Sequence, residues 1–229
     1  MKQKTTLLLL IALLASAAFG QMDVPESGRI RVDGNLSDWR NASWTPIDAV
    51  IAGTPTNISN AAWSLSWDED GTVYVAVQYD DTNIVLRKNT KMFDCIELYA
   101  RGDTGSTPSD FYKTQTSAQS YLFGLSGDQT TEWLQMGPFK ELPRYNPIEV
   151  AVTLQGTHFI YEAAVPLYDI FDPGNRNNCS ESEIFIDEEI GFDIAIIDVS
   201  ANGPGGIIGY NDRKKRTSAN QIAEHTLED

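Results

Sequence analysis

After its first twenty residues, the 229-residue chain has no apolar run long enough to cross a membrane. Within those residues, two lysines precede an apolar run, Leu7 to Ala15, that is itself too short to span a bilayer. Ala18-Phe19-Gly20 then offers small residues at the positions that a signal peptidase reads, and this order is typical of an export signal. We therefore expect residues 1–20 to be removed. The remaining residues 21–229 are expected to form a secreted or periplasmic protein without membrane insertion.

The chain is poor in basic residues. It has 17 Lys and Arg against 32 Asp and Glu, which gives a net charge of −15. Removal of the two lysines of the export signal changes the charge to 15 − 32 = −17. Such a field repels nucleic acids and anionic lipid surfaces, so neither is an expected partner.

Cysteine is also scarce, since the chain contains Cys95 and Cys179 only. A disulfide between them would persist in an exported protein. It would close a loop of about 84 residues, and loops of that length stabilise a fold by roughly 4 kcal/mol. Cys95 lies in a strand-like run, where a plain buried thiol is the alternative. The sequence leaves both alternatives open.

Sequence motifs of the common enzyme classes are missing. The chain has no Gly-x-Ser-x-Gly elbow, no His-Glu-x-x-His zinc pair and no Walker loop. The run from Asn202 to Gly206 misses the dinucleotide fingerprint, because Ile208 stands where the third glycine belongs. The two histidines, His158 and His225, are expected in a turn or at the surface. We therefore expect neither enzymatic activity nor an organic cofactor.

What the chain has instead is apolar residues that alternate with polar ones along many short segments. A period of two predicts strands, and Asp70-Gly71 and Gln155-Gly156 supply hairpin turns between them. The polar, Gly/Pro-rich loops are not linkers, since strand patterning resumes after each. We predict one all-β domain over residues 21–229. Its expected architecture is a two-sheet antiparallel β-sandwich of immunoglobulin-like or jelly-roll-like type with long loops. The alternating positions are Trp63, Leu65 and Trp67; Val73, Val75, Val77 and Tyr79; Ile96 and Leu98; Val150, Val152 and Leu154; Phe159, Tyr161 and Ala163; and Ile190, Phe192, Ile194 and Ile196.

Five segments together resemble the family 9 carbohydrate-binding modules and the related DOMON sandwiches. They are VDGNLSDWRNASW, SLSWDEDGTVYVAVQYDD, FDCIELYAR, HFIYEAAVPL and IGFDIAIIDVSANG, and they occur in the order and spacing of that family. Each motif alone is weak, but the five cover Ile30 to about Tyr210. The resemblance implies a sandwich that binds polysaccharides or oligosaccharides without catalysis and that is associated with glycoside hydrolase systems.

The resemblance also implies a binding site. Glu97 matches the sugar-contacting carboxylate of the family, and Tyr210 falls where the family has a stacking Trp. The second stacking Trp has no counterpart, so Phe93 or Trp133 is expected to supply the other ring. Tyr121 stands where the family has an Arg. An aromatic ring covers the apolar face of a pyranose and a carboxylate accepts from its hydroxyls, so we expect Glu97 and Tyr210 on one accessible face.

Calcium is a further expectation, because some members of the family carry it. Carboxylate and carbonyl oxygens are the ligands that Ca²⁺ prefers. Asp193 and Asp198, or the turn at Asp80-Asp81, are the candidate ligands.

Two other functions remain open. One is a structural or adhesive subunit that self-associates or binds extracellular partner proteins, favoured by the missing stacking Trp. The other is haem binding, as in distant relatives of this sandwich, with Met92 and His158 in the ligand roles.

Overall fold

The computed structural model describes residues 21–87, 93–102, 116–135, 148–172, 174–200, 203–213, 215 and 218–229. These residues form fifteen strands and three short 3₁₀ turns. The strands are β1 (Asp23–Pro25), β2 (Thr45–Pro46), β3 (Ala49–Gly53), β4 (Ile58–Trp67), β5 (Thr72–Asp81), β6 (Cys95–Arg101), β7 (Ala118–Leu125), β8 (Thr131–Gln135), β9 (Glu149–Gln155), β10 (His158–Pro166), β11 (Tyr168–Ile170), β12 (Ser180–Glu181), β13 (Glu189–Ser200), β14 (Gly203–Gly209) and β15 (Glu224–Glu228). The turns are Leu36–Trp39, Arg176–Asn178 and Ala219–Gln221. No helix in these ranges is long and apolar enough to cross a membrane.

The strands form two main sheets. The first has the order β1-β15-β13-β6-β7-β8, with β14 paired to β13 and β3 paired to β14. The second has the order β2-β4-β5-β10-β9, and β11 and β12 form a separate small hairpin. All of these pairings are antiparallel except that of β1 with β15. The predicted all-β sandwich is confirmed.

The core lies between the sheets and follows the period of two. On β5, for example, Val73, Val75, Val77 and Tyr79 all belong to one buried cluster. Successive side chains of a strand point to opposite faces, so these residues share the inner face. The cluster also includes Trp63 of β4 and the inward residues of β6, β7, β10 and β13, which are Ile96, Leu98, Ala100, Tyr121, Phe123, Leu125, Phe159, Tyr161, Ala163, Val165, Ile190, Phe192, Ile194 and Ile196.

The outer face of the second sheet is covered by the N-terminal segment, residues 30–44. Its anchor is the buried carboxylate of Glu162 on β10. Glu162 Oε2 accepts from the backbone N–H of Asp33, Gly34 and Asn35 at 3.1, 2.6 and 3.1 Å, and Oε1 accepts from the Trp39 indole N–H at 2.8 Å. One carboxylate thus connects the VDGN turn and its tryptophan to the YEAAVP strand.

The outer face of the first sheet is covered by residues 211–213, 215 and 218–223. Ala219 and Ile222 pack there against Tyr99 and Ala118 in a small buried cluster. The chain then ends in β15, so the C-terminal residues close the sheet beside β13. His225 on β15 was expected at the surface, and that prediction is wrong. It is 0% exposed, its Nε2 contacts the Phe192 carbonyl at 2.8 Å, and burial lowers the pKa of its imidazole to about 4.

The alternative of a disulfide between the two cysteines is also wrong, since neither thiol is part of one. Cys95 begins β6, whereas Cys179 is held by the β11–β12 hairpin, where its Sγ accepts from the Asp172 N–H at 3.2 Å. Phe171 of that hairpin pairs with Thr116, beyond the Arg101 end of β6. Six steps along a strand span about 20 Å, so the thiols belong to opposite ends of the sheet.

Candidate functional site

The face proposed for ligand binding by the sequence pattern lies on the outside of β6 and β7. Ile96 and Leu98 face the core, so Glu97 between them faces outward. The Phe93 ring lies over this same face, because a Cβ at Gly124, which pairs with Cys95, would collide with it. The structure therefore brings two predicted site residues, Phe93 and Glu97, to one face of the sheet, which we call the Phe93–Glu97 face.

Two further groups contribute to the Phe93–Glu97 face. The guanidinium carbon of Arg87 lies 5.5 Å from the centre of the Phe93 ring, within the range of a cation–π contact. Leu122 is paired with Glu97 across β6 and β7 and is half-buried. Sequence reasoning missed Arg87. Arg87 lies seven residues before Asp94, which begins the Asp-x-x-Glu motif. The family pattern instead places its arginine on the strand after that motif.

Glu97 is less accessible than expected. Its side chain is 2% exposed, and Oε2 accepts from the Tyr99 hydroxyl at 2.6 Å. Phe93 is 4% exposed. On the described part of the Phe93–Glu97 face, Arg87 and Leu122 are therefore more exposed to solvent than Glu97 and Phe93.

Tyr210 does not lie beside Glu97, and that expectation is wrong. Ile208 pairs with the inward-facing Ile196, so Tyr210, two residues further on, also faces the core. Its ring packs 5.2 Å from the Trp63 ring and 5.6 Å from the His225 ring, between centroids. A ring in this position cannot cover a sugar at the Phe93–Glu97 face.

Tyr121 also faces the core, since it is paired with Leu98 and is 0% exposed. Its hydroxyl contacts Gln119 Oε1 at 2.5 Å. The backbone of Trp133 pairs with Phe123 on the edge strand β8, whereas its side chain is outside the described residues. Met92, one of the two haem-ligand candidates, also lies outside the described residues. The other, His158, has its Nδ1 2.9 Å from Asp80 Oδ1.

A second cluster, the acid trio, lies at one end of the core between the two sheets. It consists of Asp81 at the end of β5, Asp94 directly before β6, and Asp198 at a bulge in β13. One oxygen of each carboxylate lies within 4.8 Å of the others, and all three side chains are buried. The trio therefore joins the second sheet to two strands of the first.

The trio is surrounded by neutral donors. Asp94 accepts from the N–H of Val199 at 2.8 Å and from the N–H of Val85, and Asp81 accepts from the N–H of Asn83 at 2.7 Å. Asp198 Oδ1 lies 3.4 Å from the Asn57 amide nitrogen. None of the ion pairs within the described ranges includes a member of the trio.

The negative charge of the trio is not balanced by an ion pair with any of the described residues. Burial, with a further contribution from the Asp81 carboxylate, raises the pKa of Asp94 to about 8. Burial, and then the charge of Asp198, raises the pKa of Asp81. Asp81 Oδ2 and Asp198 Oδ2 are buried and accept no hydrogen bond from the described residues. Unsatisfied buried carboxylate oxygens are costly unless a cation meets them, so the donor set fits a hard divalent ion such as Ca²⁺.

Sequence reasoning found two members of the trio and missed Asp94. The signal for all three was the period of two, because each aspartate continues an inward-facing apolar series by one step. Asp81 follows Tyr79, Asp94 precedes Ile96, and Asp198 follows Ile196. An acidic residue in a core-facing position is unusual enough to indicate a site.

Asp193 does not belong to this cluster, so its expected role as a metal ligand beside Asp198 is wrong. It is an outward-facing residue of β13, and its Oδ1 lies 2.6 Å from Lys215 Nζ. These two side chains, which we call the lysine pair, are 0% and 1% exposed. Of the Asp80-Asp81 turn, only Asp81 joins the trio, since Asp80 contacts His158 and accepts from the Asn60 amide at 2.7 Å.

Comparison with known proteins agrees with this architecture. A family model described as "Carbohydrate family 9 binding domain-like" matches residues 32–227. A family 9 carbohydrate-binding module from Caldicellulosiruptor kristjanssonii, solved in complex with cellotriose, has a TM-score of 0.68 at 14% identity and covers 91% of this chain and 94% of that chain. A module of the same organism in complex with glucose has a TM-score of 0.63 at 14% identity, with 91% and 96% covered. None of the curated proteins matches this chain in sequence.

Proposed function

The chain belongs to the carbohydrate family 9 binding domain-like family, and we propose that it is a secreted, non-catalytic protein that binds oligosaccharides or polysaccharides. The observation that carries this proposal is the extent of the family match, residues 32–227, which includes nearly all strands of both sheets. The N-terminal pattern of two lysines and a short apolar run supports export. We further propose that it acts alongside glycoside hydrolases, and the family match is the support for this.

The proposed ligand site is the Phe93–Glu97 face. The Phe93 ring, which is 4% exposed, would pack against the CH face of a pyranose once the side chains that cover it move aside. The Arg87 guanidinium supplies a planar set of donors for sugar hydroxyls, and the Glu97 carboxylate supplies acceptors. Trp133, a residue of the neighbouring edge strand β8, is the remaining candidate for a second ring.

We also propose that the acid trio binds Ca²⁺. Asp81, Asp94 and Asp198 would hold the ion, and the two buried carboxylate oxygens without a hydrogen-bond partner among the described residues support this assignment. The ion would offset most of the negative charge of the trio and link the two sheets at that end of the core. It would have no part in sugar chemistry.

Isothermal titration of the purified protein with cello-, xylo- and manno-oligosaccharides tests the saccharide proposal. We expect at least one series to bind. Arg87→Ala and Glu97→Gln should each weaken that binding by tenfold or more, because loss of a buried hydrogen-bond partner costs about 1–3 kcal/mol.

Tyr121→Phe is the matched control. It removes a hydroxyl from a residue of the same sheet whose side chain faces the core, so binding should be unchanged. Equal affinity of the wild type, Arg87→Ala and Glu97→Gln for a bound sugar would exclude the Phe93–Glu97 face. Absence of binding to every series, together with self-association on a sizing column, would favour the structural alternative.

A further inference from the structure

The lysine pair is almost fully buried, unlike the ion pairs that form at a protein surface. Lys215 Nζ lies 2.6 Å from Asp193 Oδ1 and donates to the Ile194 carbonyl at 2.9 Å. Room for the amine comes from a glycine, since a Cβ at Gly209 would lie 2.9 Å from Nζ. The amine is thus confined against one carboxyl group, in a place that water does not reach.

The two oxygens of Asp193 have different surroundings. Oδ2 accepts from the Asn211 amide at 2.7 Å and from the Ala223 backbone N–H at 3.0 Å. Oδ1 lies 2.6 Å from Lys215 Nζ and accepts from the Ile194 backbone N–H at 2.8 Å. The two N–H groups aimed at Oδ2 can stabilise negative charge that develops there, as in the oxyanion holes of acyl-transfer enzymes. Oδ1 is the oxygen in contact with the amine, so it is the one that can receive the protons of the amine.

A second carboxyl group lies close by. Tyr99 pairs with Asp193 across β6 and β13, and Glu97 pairs with Ala195, so Glu97 and Asp193 are diagonal neighbours on the same outer face. Diagonal neighbours are within reach of long side chains. The charge of Glu97 also acts on the Lys215 ammonium. Glu97 therefore lies on the same face as the lysine pair, within the range over which its charge acts on Lys215.

We propose that Lys215 and Asp193 condense into an intramolecular amide, an isopeptide bond that joins the segment containing Lys215 to the sheet. Glu97 takes one proton from the Lys215 ammonium and passes it to Asp193 Oδ1, which gives the neutral amine and the neutral carboxylic acid. The lone pair of the nitrogen then attacks Asp193 Cγ, the second proton of the nitrogen moves to Oδ1, the C–Oδ1 bond breaks, and Oδ1 leaves as water. One amide and one water form, no electrons are exchanged, and Glu97 ends as the carboxylate it was at the start.

Burial favours the reactive forms of both partners. It lowers the pKa of Lys215 and raises the pKa of Asp193, although the charge of each partner opposes the shift of the other. A neutral amine and a neutral carboxylic acid are the species that condense. Confinement of the two groups at contact distance also removes the entropic cost of bringing them together.

The mass of the denatured, reduced protein tests the proposal. The expected result is a species about 18 Da lighter than its sequence requires, because one water is lost. Digestion should give a branched peptide in which Lys215 is linked to Asp193. That peptide is needed because an Asp-Gly succinimide, at Asp33 or Asp70, also loses one water, and cyclisation of an N-terminal Gln21 loses ammonia.

Lys215→Arg is the matched variant, since it keeps the cation and lacks a nucleophilic amine. Its mass should equal the sequence mass, as should that of Glu97→Gln if Glu97 carries the proton. A full, unlinked mass and separate Lys215 and Asp193 peptides from folded, aged wild-type protein would overturn the proposal, whatever the variants do. Saccharide binding is independent of this result, because Lys215→Arg should still bind sugar and Arg87→Ala should still carry the link.

Discussion

The lysine pair and the acid trio are both built from buried carboxylates of the same sandwich, but their charges are met differently. Asp193 faces outward from β13 and has the ammonium of Lys215 at 2.6 Å. The acid trio faces inward and contacts backbone N–H groups and an amide, while two of its oxygens accept no hydrogen bond from the described chain. Buried charge is stable only when it is paired or bound to metal.

This difference indicates in which cluster the charge is balanced by residues of the protein itself. The lysine pair carries its own counterion, and the amide that we propose it forms carries no charge, so the fold holds either form without help from solution. The trio carries up to three negative charges and a pKa of about 8 at Asp94, which is the response of a carboxyl group that has no cation. We infer that the trio requires a bound cation to balance its charge, whereas the lysine pair requires none.

The largest expected effect follows removal of the Lys215 cation from the lysine pair. Lys215→Met leaves the Asp193 carboxylate buried and uncompensated, which costs about 3–5 kcal/mol of unfolding free energy. Urea unfolding monitored by circular dichroism measures it. The double variant Lys215→Met/Asp193→Asn is the control and should be more stable than the single variant, because no buried charge remains. A single variant as stable as the wild type would show that the pair is not charged or not buried as described.

The opposite sign is expected when a charge is removed from the trio in the absence of metal. In a chelator, Asp198→Asn should raise the stability of the protein, because it relieves repulsion among buried carboxylates. With Ca²⁺ at 100 times its Kd, the wild type should gain about 2.7 kcal/mol and the variant much less. Glu162→Gln, which alters a buried carboxylate outside the trio, should leave the calcium response intact. A chelated Asp198→Asn protein that is less stable than the wild type would contradict the inference.

A smaller effect is expected from pH in the chelated protein. The pKa of Asp94 is raised in the folded state from its ordinary value of 3.8 to about 8, so the folded protein binds this proton more tightly than the unfolded chain. Stability is then present at low pH and is lost as the pH rises towards 8. Between about pH 6.5 and pH 8 the loss is up to about 2 kcal/mol.

His225 contributes little to the pH dependence in this window, because its titration lies mainly at lower pH. Burial lowers the pKa of His225 to about 4, so its contribution to stability is lost as the pH falls from its ordinary value of 6.5 towards 4. Thermal melts of the wild type and Asp94→Asn in this window compare the two. The variant should show a shallower profile, and an equal slope in both proteins would assign the effect to another group.

The sheets could be predicted from the sequence because alternation is a local property. Apolar residues at every second position place Val75, Tyr161 and Ile194 in the core without knowledge of their partners. The same rule, carried one step beyond the apolar residues, would have found the acid trio. The trio is thus predictable in position, and only its assembly from three strands requires the structure.

Other features depend on register and on long-range contact, which the sequence does not display. Tyr210 was expected beside Glu97, but its face is set by the pairing of Ile208 with Ile196, and a shift of one residue would have reversed it. Lys215 follows Asp193 by a long stretch of chain, and no local pattern marks them as partners. The four hydrogen bonds of Glu162 likewise join segments more than a hundred residues apart.

The most direct test of the comparison is a calorimetric titration of Ca²⁺ into the chelator-treated protein at about pH 7, with Lys215→Arg and Asp94→Asn measured in parallel. We expect one ion to bind the wild type and Lys215→Arg alike, with release of a proton, because binding requires the ionised form of Asp94. Asp94→Asn should bind much more weakly. Absence of calcium binding to the wild type, or equal binding to Asp94→Asn, would contradict the conclusion that the acid trio is an incomplete site completed by a cation.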